Sequence, residues 1–125
     1  MPTYPAYLEG NVLIRHGGLF MPGKGNIKLP KGADVASVAG AIAIGSGVLF
    51  DITGTLAITD ITPEENEENR LIILRITESA SMVDGSHLKL EGDFAPANIG
   101  TIGLYYVETS TDIYDWYELF RTTIS

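Results

Sequence analysis

The sequence predicts an all-β protein: an antiparallel, jelly-roll-like β-sandwich of about eight strands with an extended N-terminal arm. Three observations predict it. Ile, Thr and Val number 14, 11 and 6 among 125 residues, and they fall in short runs separated by Gly, Pro, Asn and Asp, the pattern of β-branched strands and turns. Turn chemistry recurs at Pro22-Gly23-Lys24-Gly25, Pro30-Lys31-Gly32, Gly45-Ser46-Gly47 and Asp84-Gly85, each supplying the fixed or positive φ that a reversal needs. Helical periodicity is absent over any window of about twelve residues, and no fixed-period repeat is visible.

The elements follow in chain order. Pro2, Pro5 and Pro22 frame a first segment that carries Tyr4, Tyr7, Leu8, Leu19, Phe20 and Met21 with few charges. It is extended and too apolar for a solvated tail, so it is either a first strand completing the sheet or an arm laid over a partner. The domain reading is an arm over 1–22 and a β-sandwich over 23–125. Asn11 to Arg15 and Asn26 to Leu29 read as strands. Val38 to Ile44 alternates Ile42 and Ile44 with Ala39, Ala41 and Ala43, which predicts a strand covered on both sides. Phe50 to Thr59 is the clearest run: Phe50, Ile52, Leu56 and Ile58 share one parity, and Asp51, Thr53, Thr55 and Thr59 the other. Gly54 within it marks a bend, a bulge or a close approach of another backbone. Leu71 to Thr77 is apolar on both faces over its first four residues before Arg75 and Thr77 restore alternation. Ser86 to Leu90, Thr101 to Val107 and Trp116 to Arg121 complete the set, and the acidic stretch Pro63 to Asn69 reads as a solvated loop.

Composition bounds the function. At 13.5 kDa with 45% hydrophobic residues, the chain predicts one compact folded unit, and its size makes association with identical copies a natural source of further burial. Eight Lys and Arg against sixteen Asp and Glu give a net charge of −8, with no basic stripe, so nucleic acid is not an expected partner. No apolar run approaches the roughly 18 residues of a membrane span, and Met1-Pro2-Thr3-Tyr4-Pro5 lacks the start of a signal peptide, which predicts a soluble protein without a membrane partner. With no cysteine, disulfides, thiol nucleophiles and thiolate metal sites are excluded.

Catalytic chemistry finds little support. His16 precedes Gly17-Gly18 and reads as a turn residue, while His87 alternates with Lys89 and Glu91 and reads as solvent-facing. A carboxylate pair can hydrolyse a glycoside, but its spacing is a tertiary property. The cluster Asp60, Glu64, Glu65, Glu67 and Glu68 lacks the ligand spacing of a calcium loop, and the glycines form no phosphate-binding pattern. The expectation is no enzyme, no metal site and no cofactor. Near the C-terminus Tyr105, Tyr106, Tyr114, Trp116, Tyr117 and Phe120, with Trp116 and Phe120 on one strand face and Tyr117 on the other, form either core or a contact surface. Together with Ile113, Ile124 and the doubly apolar strands, they exceed what one thin sandwich hides, which predicts an oligomer.

The ordered series Gly47-Val48-Leu49-Phe50-Asp51-Ile52-Thr53-Gly54-Thr55, Ile58-Thr59-Asp60-Ile61, Arg70-Leu71-Ile72-Ile73-Leu74-Arg75, Asp84-Gly85-Ser86-His87-Leu88-Lys89-Leu90 and Trp116-Tyr117-Glu118-Leu119-Phe120-Arg121 resembles a β module of trimeric virion proteins of tailed bacteriophages. That group includes tail fibres, tail spikes and small head-decoration proteins. The resemblance spans residues 47 to 121. Fibre and spike proteins carry long regions beside this module, whereas this chain runs from Met1 to just past it, so the resemblance implies a decoration, or cement, protein. It implies a homotrimer made in the host cytoplasm and located in the virion, on the capsid surface, where it binds the major capsid protein and stabilises the head. Tyr4, Tyr7, Leu8, Leu19 and Phe20 would be the capsid-contacting arm, and Ala39, Ala41, Ile73 and Trp116 the subunit interface. The alternative is a tail-fibre or tail-spike component that binds host-surface glycan.

Overall fold

A computed structural model of the chain describes residues 12–13, 20–21, 28–63 and 68–124. The chain divides into two compact units, Met1–Pro30 and Lys31–Ser125, whereas the sequence reading divides it after residue 22. In the first unit β1 (Val12–Leu13) and β2 (Phe20–Met21) pair antiparallel, Val12 opposite Met21 and Leu13 opposite Phe20. Tyr4, Tyr7, Leu8 and Leu19 lie outside the described residues, and Phe20 is described only by its place on β2.

The regular structure of the second unit is all strand, with no helix among its described residues: β3 (Val35–Ala36), β4 (Gly40–Ile44), β5 (Leu49–Thr53), β6 (Ala57–Pro63), β7 (Arg70–Ile76), β8 (Ser81–Met82), β9 (Leu88–Lys89), β10 (Ile99–Ser110) and β11 (Ile113–Ile124). Six of these form one sheet in the order β3-β5-β7-β10-β11-β9, and β4-β6-β8 form a second. From β3 to β8 the chain alternates between the sheets, and each return lays a strand parallel on the one before. Val35 stands beside Ile52 and Ile52 beside Ile76; in the smaller sheet Ile42 stands beside Ile61 and Ile58 beside Met82. The result is a parallel β-coil in which every turn contributes one strand to each sheet.

The antiparallel, jelly-roll-like arrangement expected from the sequence is therefore corrected. Antiparallel pairing in this unit's strand ladders is confined to β7–β10 and β10–β11, while the remaining pairs, including β9 on β11, are parallel. The reason lies in the connections. Residues 54–56 and 77–80 carry the chain out of one sheet and into the other instead of folding it back beside the strand just left.

Gly54 illustrates the difference. The sequence reads Phe50 to Thr59 as one strand, but Gly54 adopts φ +84° and the run breaks into β5 and β6, which belong to different sheets. Phe50, Ile52 and Ile58 are buried while Leu56, at the corner, is 49% exposed. The preceding turn of the coil braces this corner: the Leu56 N–H donates to Ser37 Oγ (3.1 Å), and the Gly54 N–H donates to the Glu78 carboxylate (2.9 Å) from the following turn. At the opposite corner Arg70 donates through Nη2 to the carbonyls of Gly45 and Gly47, with its guanidinium 6.0 Å from the centre of the Phe50 ring. Gly47 there stands so close to Gly32 that a Cβ on Gly47 would lie 2.7 Å from the Gly32 nitrogen.

Both sheets feed one core, in which Trp116, Phe50, Phe94, Ile52, Ile58 and Leu74 are almost completely enclosed. Trp116 joins the sheets directly, since its indole N–H on β11 donates to the Ile61 carbonyl on β6 at 3.0 Å. Tyr106 lies tilted against its ring with centroids 4.4 Å apart. Truncation by Trp116→Ala is expected to cost about 3–5 kcal/mol in a urea titration. Gly32→Ala would place a Cβ 2.2 Å from Cε2 of the buried Phe50 and 2.7 Å from the Ser46 carbonyl, a clash with a packed ring and with backbone that should cost about 1–3 kcal/mol. Gly45→Ala, whose Cβ meets nothing within 4 Å, should stay within about 0.5 kcal/mol of the parent in the same titration.

Candidate interaction surface

Strand alternation sends one set of side chains from the six-stranded sheet into the core and the other outward. In β5 and β7 the inward set is Phe50 and Ile52, and Ile72, Leu74 and Ile76. The outward set is set in rows by the strand register. Leu71, Tyr105 and Tyr117 stand side by side across β7, β10 and β11; Leu49, Ile73, Gly103 and Phe120 form the next row across β5 to β11; Asp51, Arg75, Thr101 and Thr122 form the third. The first two rows are apolar apart from the tyrosine hydroxyls, and Leu71, Tyr117 and Phe120 are 38%, 42% and 44% exposed. Phe120 lies on the backbone of Gly103, where a Cβ would sit 2.2 Å from its ring carbon Cε2.

Between the second and third rows the surface sinks into a hollow of about 330 Å³ lined by Lys31, Leu49, Phe50, Asp51, Ile73, Arg75 and Thr101. Its charges are neutralised where they stand. Arg75 grips Asp51 through two parallel bonds, Nε to Oδ1 and Nη2 to Oδ2, both 2.9 Å. Lys31 lies 3.6 Å from Asp51 and 3.1 Å from Asp34. The Arg75 hydrogen bonds, helped by the charges of Arg75 and Lys31 and opposed by burial, hold the Asp51 carboxyl below its ordinary value. The Asp34 contact raises Lys31, and the Asp51 contact raises Arg75.

The four residues expected at a subunit interface do not converge. Ile73 sits in the outward apolar rows. Ala39 and Ala41 are exposed beside and on β4, in the other sheet; the outer side of that strand, expected to be covered, is open among the described residues. Trp116 is enclosed within the single chain and offers no area to a neighbour, so its place at an interface is corrected to the core. The sequence reading missed Leu49 and Leu71 as partners of Ile73, and its placing of Phe120 on the face of Trp116, opposite Tyr117, is corrected: the bulge between Gly103 and Leu104 turns Phe120 to the outward side that Gly103 and Tyr117 share. The signal was present in Leu71-Ile72-Ile73-Leu74, which is apolar at both parities.

Among the described residues no three His, Asp or Glu side chains gather into a metal-holding group, and no helix is long and apolar enough to cross a membrane.

The Asp51–Arg75 fork carries a pH signature. Because the folded carboxyl titrates below its ordinary value of 3.8, its contribution to stability is present above that value and lost as pH falls through the folded one. Asp51→Asn should therefore melt slightly lower than the parent at neutral pH, and the two melting curves should converge below about pH 4. No family model, curated protein or solved structure matches the chain.

Proposed function

We propose that this chain is a non-enzymatic structural protein of a tailed-phage virion, a homotrimeric decoration protein that covers the outside of the head and reinforces it by binding the major capsid protein. The observation that carries the reading is the outward face of the six-stranded sheet. A sheet with one side on the core normally turns polar side chains to water on the other. Here two successive rows, Leu71-Tyr105-Tyr117 and Leu49-Ile73-Gly103-Phe120, turn apolar side chains outward in one contiguous patch, which is the mark of an interaction surface. The resemblance of residues 47 to 121 to trimeric virion modules supplies the identity of the partners: further copies of the chain, and the capsid. The segment bearing Tyr4, Tyr7, Leu8, Leu19 and Phe20 is the proposed capsid-contacting arm, and the virion is the proposed location. The two facing β layers are the remnant of the sandwich reading that this proposal retains.

A second reading is favoured by one feature of the same face. Tyr105 and Tyr117 are direct cross-strand neighbours, with Phe120 on the same side, and a row of exposed rings can stack against sugar rings. On that reading the chain is a tail-fibre or tail-spike component that binds host glycan.

Copy number separates the two, since near-stoichiometric abundance against the capsid protein in purified particles means a decoration protein and a handful of copies means a tail component. The face itself is tested by native mass. The parent should scatter light as three 13.5 kDa chains, and the double variant Leu71→Glu, Ile73→Asp should scatter as one while keeping its far-ultraviolet dichroism. A parent that is monomeric at micromolar concentration overturns the self-association. Removal of residues 1–20 should abolish capsid binding; intact binding overturns the role of the arm.

A further inference from the structure

At its outer edge the six-stranded sheet ends on β9, which is only Leu88–Lys89, paired in parallel with Trp116 and Tyr117 of β11. So short a strand has almost no ladder of its own, yet Leu88 is completely buried. Side chains supply what the ladder lacks, from two clusters of different chemistry. On the C-terminal side of β9 the Glu118 carboxylate accepts the Glu91 N–H (2.9 Å) and two bonds from Arg121 (both 2.8 Å), and Arg121 also donates to the Gly92 and Asp93 carbonyls at 2.8 and 3.2 Å. Those charges are fixed at any ordinary pH.

The other cluster is built on histidine. The Trp116 N–H donates to the His87 carbonyl at 2.8 Å, and Nδ1 of the same residue lies 2.8 Å from Asp115 Oδ1. Asp115 is buried, its side chain 7% exposed against 47% for the imidazole, and its other oxygen accepts the Thr109 hydroxyl at 2.7 Å. A carboxylate so enclosed is strongly favoured by a cationic partner, and His87 reaches it from the β9 segment while Thr109 belongs to the same hairpin as Asp115.

We propose that His87 and Asp115 form a proton-operated latch: with His87 protonated the segment bearing β9 is clamped over the edge of β11, and with His87 neutral it loosens and the Trp116 N–H becomes available to solvent or to another strand. The groups facing the imidazole set the direction. Asp60 on β6 and Asp115 on β11 favour the cation, and Lys89 on β9 opposes it. The phenols of Tyr106 and Tyr114 are held above their ordinary value of 10.0, chiefly by burial, and stay neutral throughout. The Asp115 bond, against partial desolvation, raises His87 above its ordinary value of 6.5. A group raised on folding stabilises the folded form fully below its unfolded value and loses that contribution as pH climbs through the folded one. The latch is accordingly closed in mildly acidic solution and relaxes on the alkaline side of 6.5.

Hydrogen exchange on the full chain tests this. The Trp116 amide is followed by nuclear magnetic resonance from about pH 5.5 to 8.5, across the histidine range, with each rate divided by the intrinsic rate at that pH, and the Phe94 amide, which donates to the Met82 carbonyl, serves as the internal reference. Protection at Trp116 should fall several-fold across the range, while Phe94 holds constant. His87→Asn keeps a donor near the Nδ1 position but cannot titrate, and should flatten the profile. In the parent alone, the midpoint of the change must coincide with the titration of the His87 ring protons. A flat Trp116 profile, an equal slope in His87→Asn, a parallel change at Phe94 or a mismatch of midpoints overturns the latch.

Discussion

Parallel register between successive turns is the constraint from which the rest of the second unit follows. Once Ile52 lies beside Val35 and Ile76 beside Ile52, each turn must return its inward side chains to the height and spacing of the turn before, or the column of β-branched residues loses its packing. Corners then cannot vary freely. Where Gly47 meets Gly32 there is no room for a Cβ on either residue, and where Ser37 supports Leu56 the hydroxyl supplies the acceptor that a shifted corner would forfeit. The connection between β6 and β7, residues 64–69, is longer than the 45–48 connection at the corresponding place in the previous turn, and Arg70 at its end donates to the carbonyls of Gly45 and Gly47.

A coil built this way leaves an unfilled edge at its last turn, and the long hairpin deals with it. β10 runs antiparallel along β7 from Gly100 opposite Ile76 to Tyr106 opposite Arg70, which ends the parallel stack in a ladder that a further turn cannot extend. β11 then carries Trp116 over the core to bond with Ile61 in the other sheet. That bond also fixes the hairpin in height, because a one-residue slip of β11 would turn the indole outward and strand the Ile61 carbonyl in a dry interior. In the smaller sheet the last strand is met by Phe94, whose N–H and carbonyl both bond to Met82 at 2.8 Å.

The period-two signal made the strands and their faces legible wherever one face is dry: Phe50, Ile52 and Ile58 inward, with Asp51 and Thr53 opposite. It gave no access to pairing, because alternation is the same in parallel and antiparallel sheets. A repeat might be expected to betray a coil, but among the described residues there are two full returns of unequal length, so the spacing that registers Val35 with Ile52 differs from that of Ile52 with Ile76. Gly54 was read as a bend, a bulge or a point of close approach within one strand; it is instead the corner between two strands, because the neighbour that makes it one, Ser37 Oγ, is supplied by tertiary structure. The same limit hid His87–Asp115: alternation places His87 toward solvent, and the aspartate that engages it lies on the hairpin.

The outward apolar rows follow from no requirement of the coil. Stacking fixes the inward parity and leaves the outward one free, so the smaller sheet turns Ala41 and Ala43 outward and the larger one Leu71, Ile73, Tyr105 and Tyr117. Two features distinguish this side. Phe120 packs against Gly103, its ring occupying the place a Cβ would take, so part of its apolar area rests on the backbone of the sheet. At the margin Asp51 is gripped by Arg75 and approached by Lys31, so the charges nearest the rows are paired within the chain. Covering such a face dehydrates few uncompensated charges, and the desolvation cost that usually opposes association of acidic surfaces is correspondingly small. With the net charge of −8 repelling like molecules at long range, the proposed association through these rows would depend on short-range apolar contact and would strengthen as salt screens the repulsion.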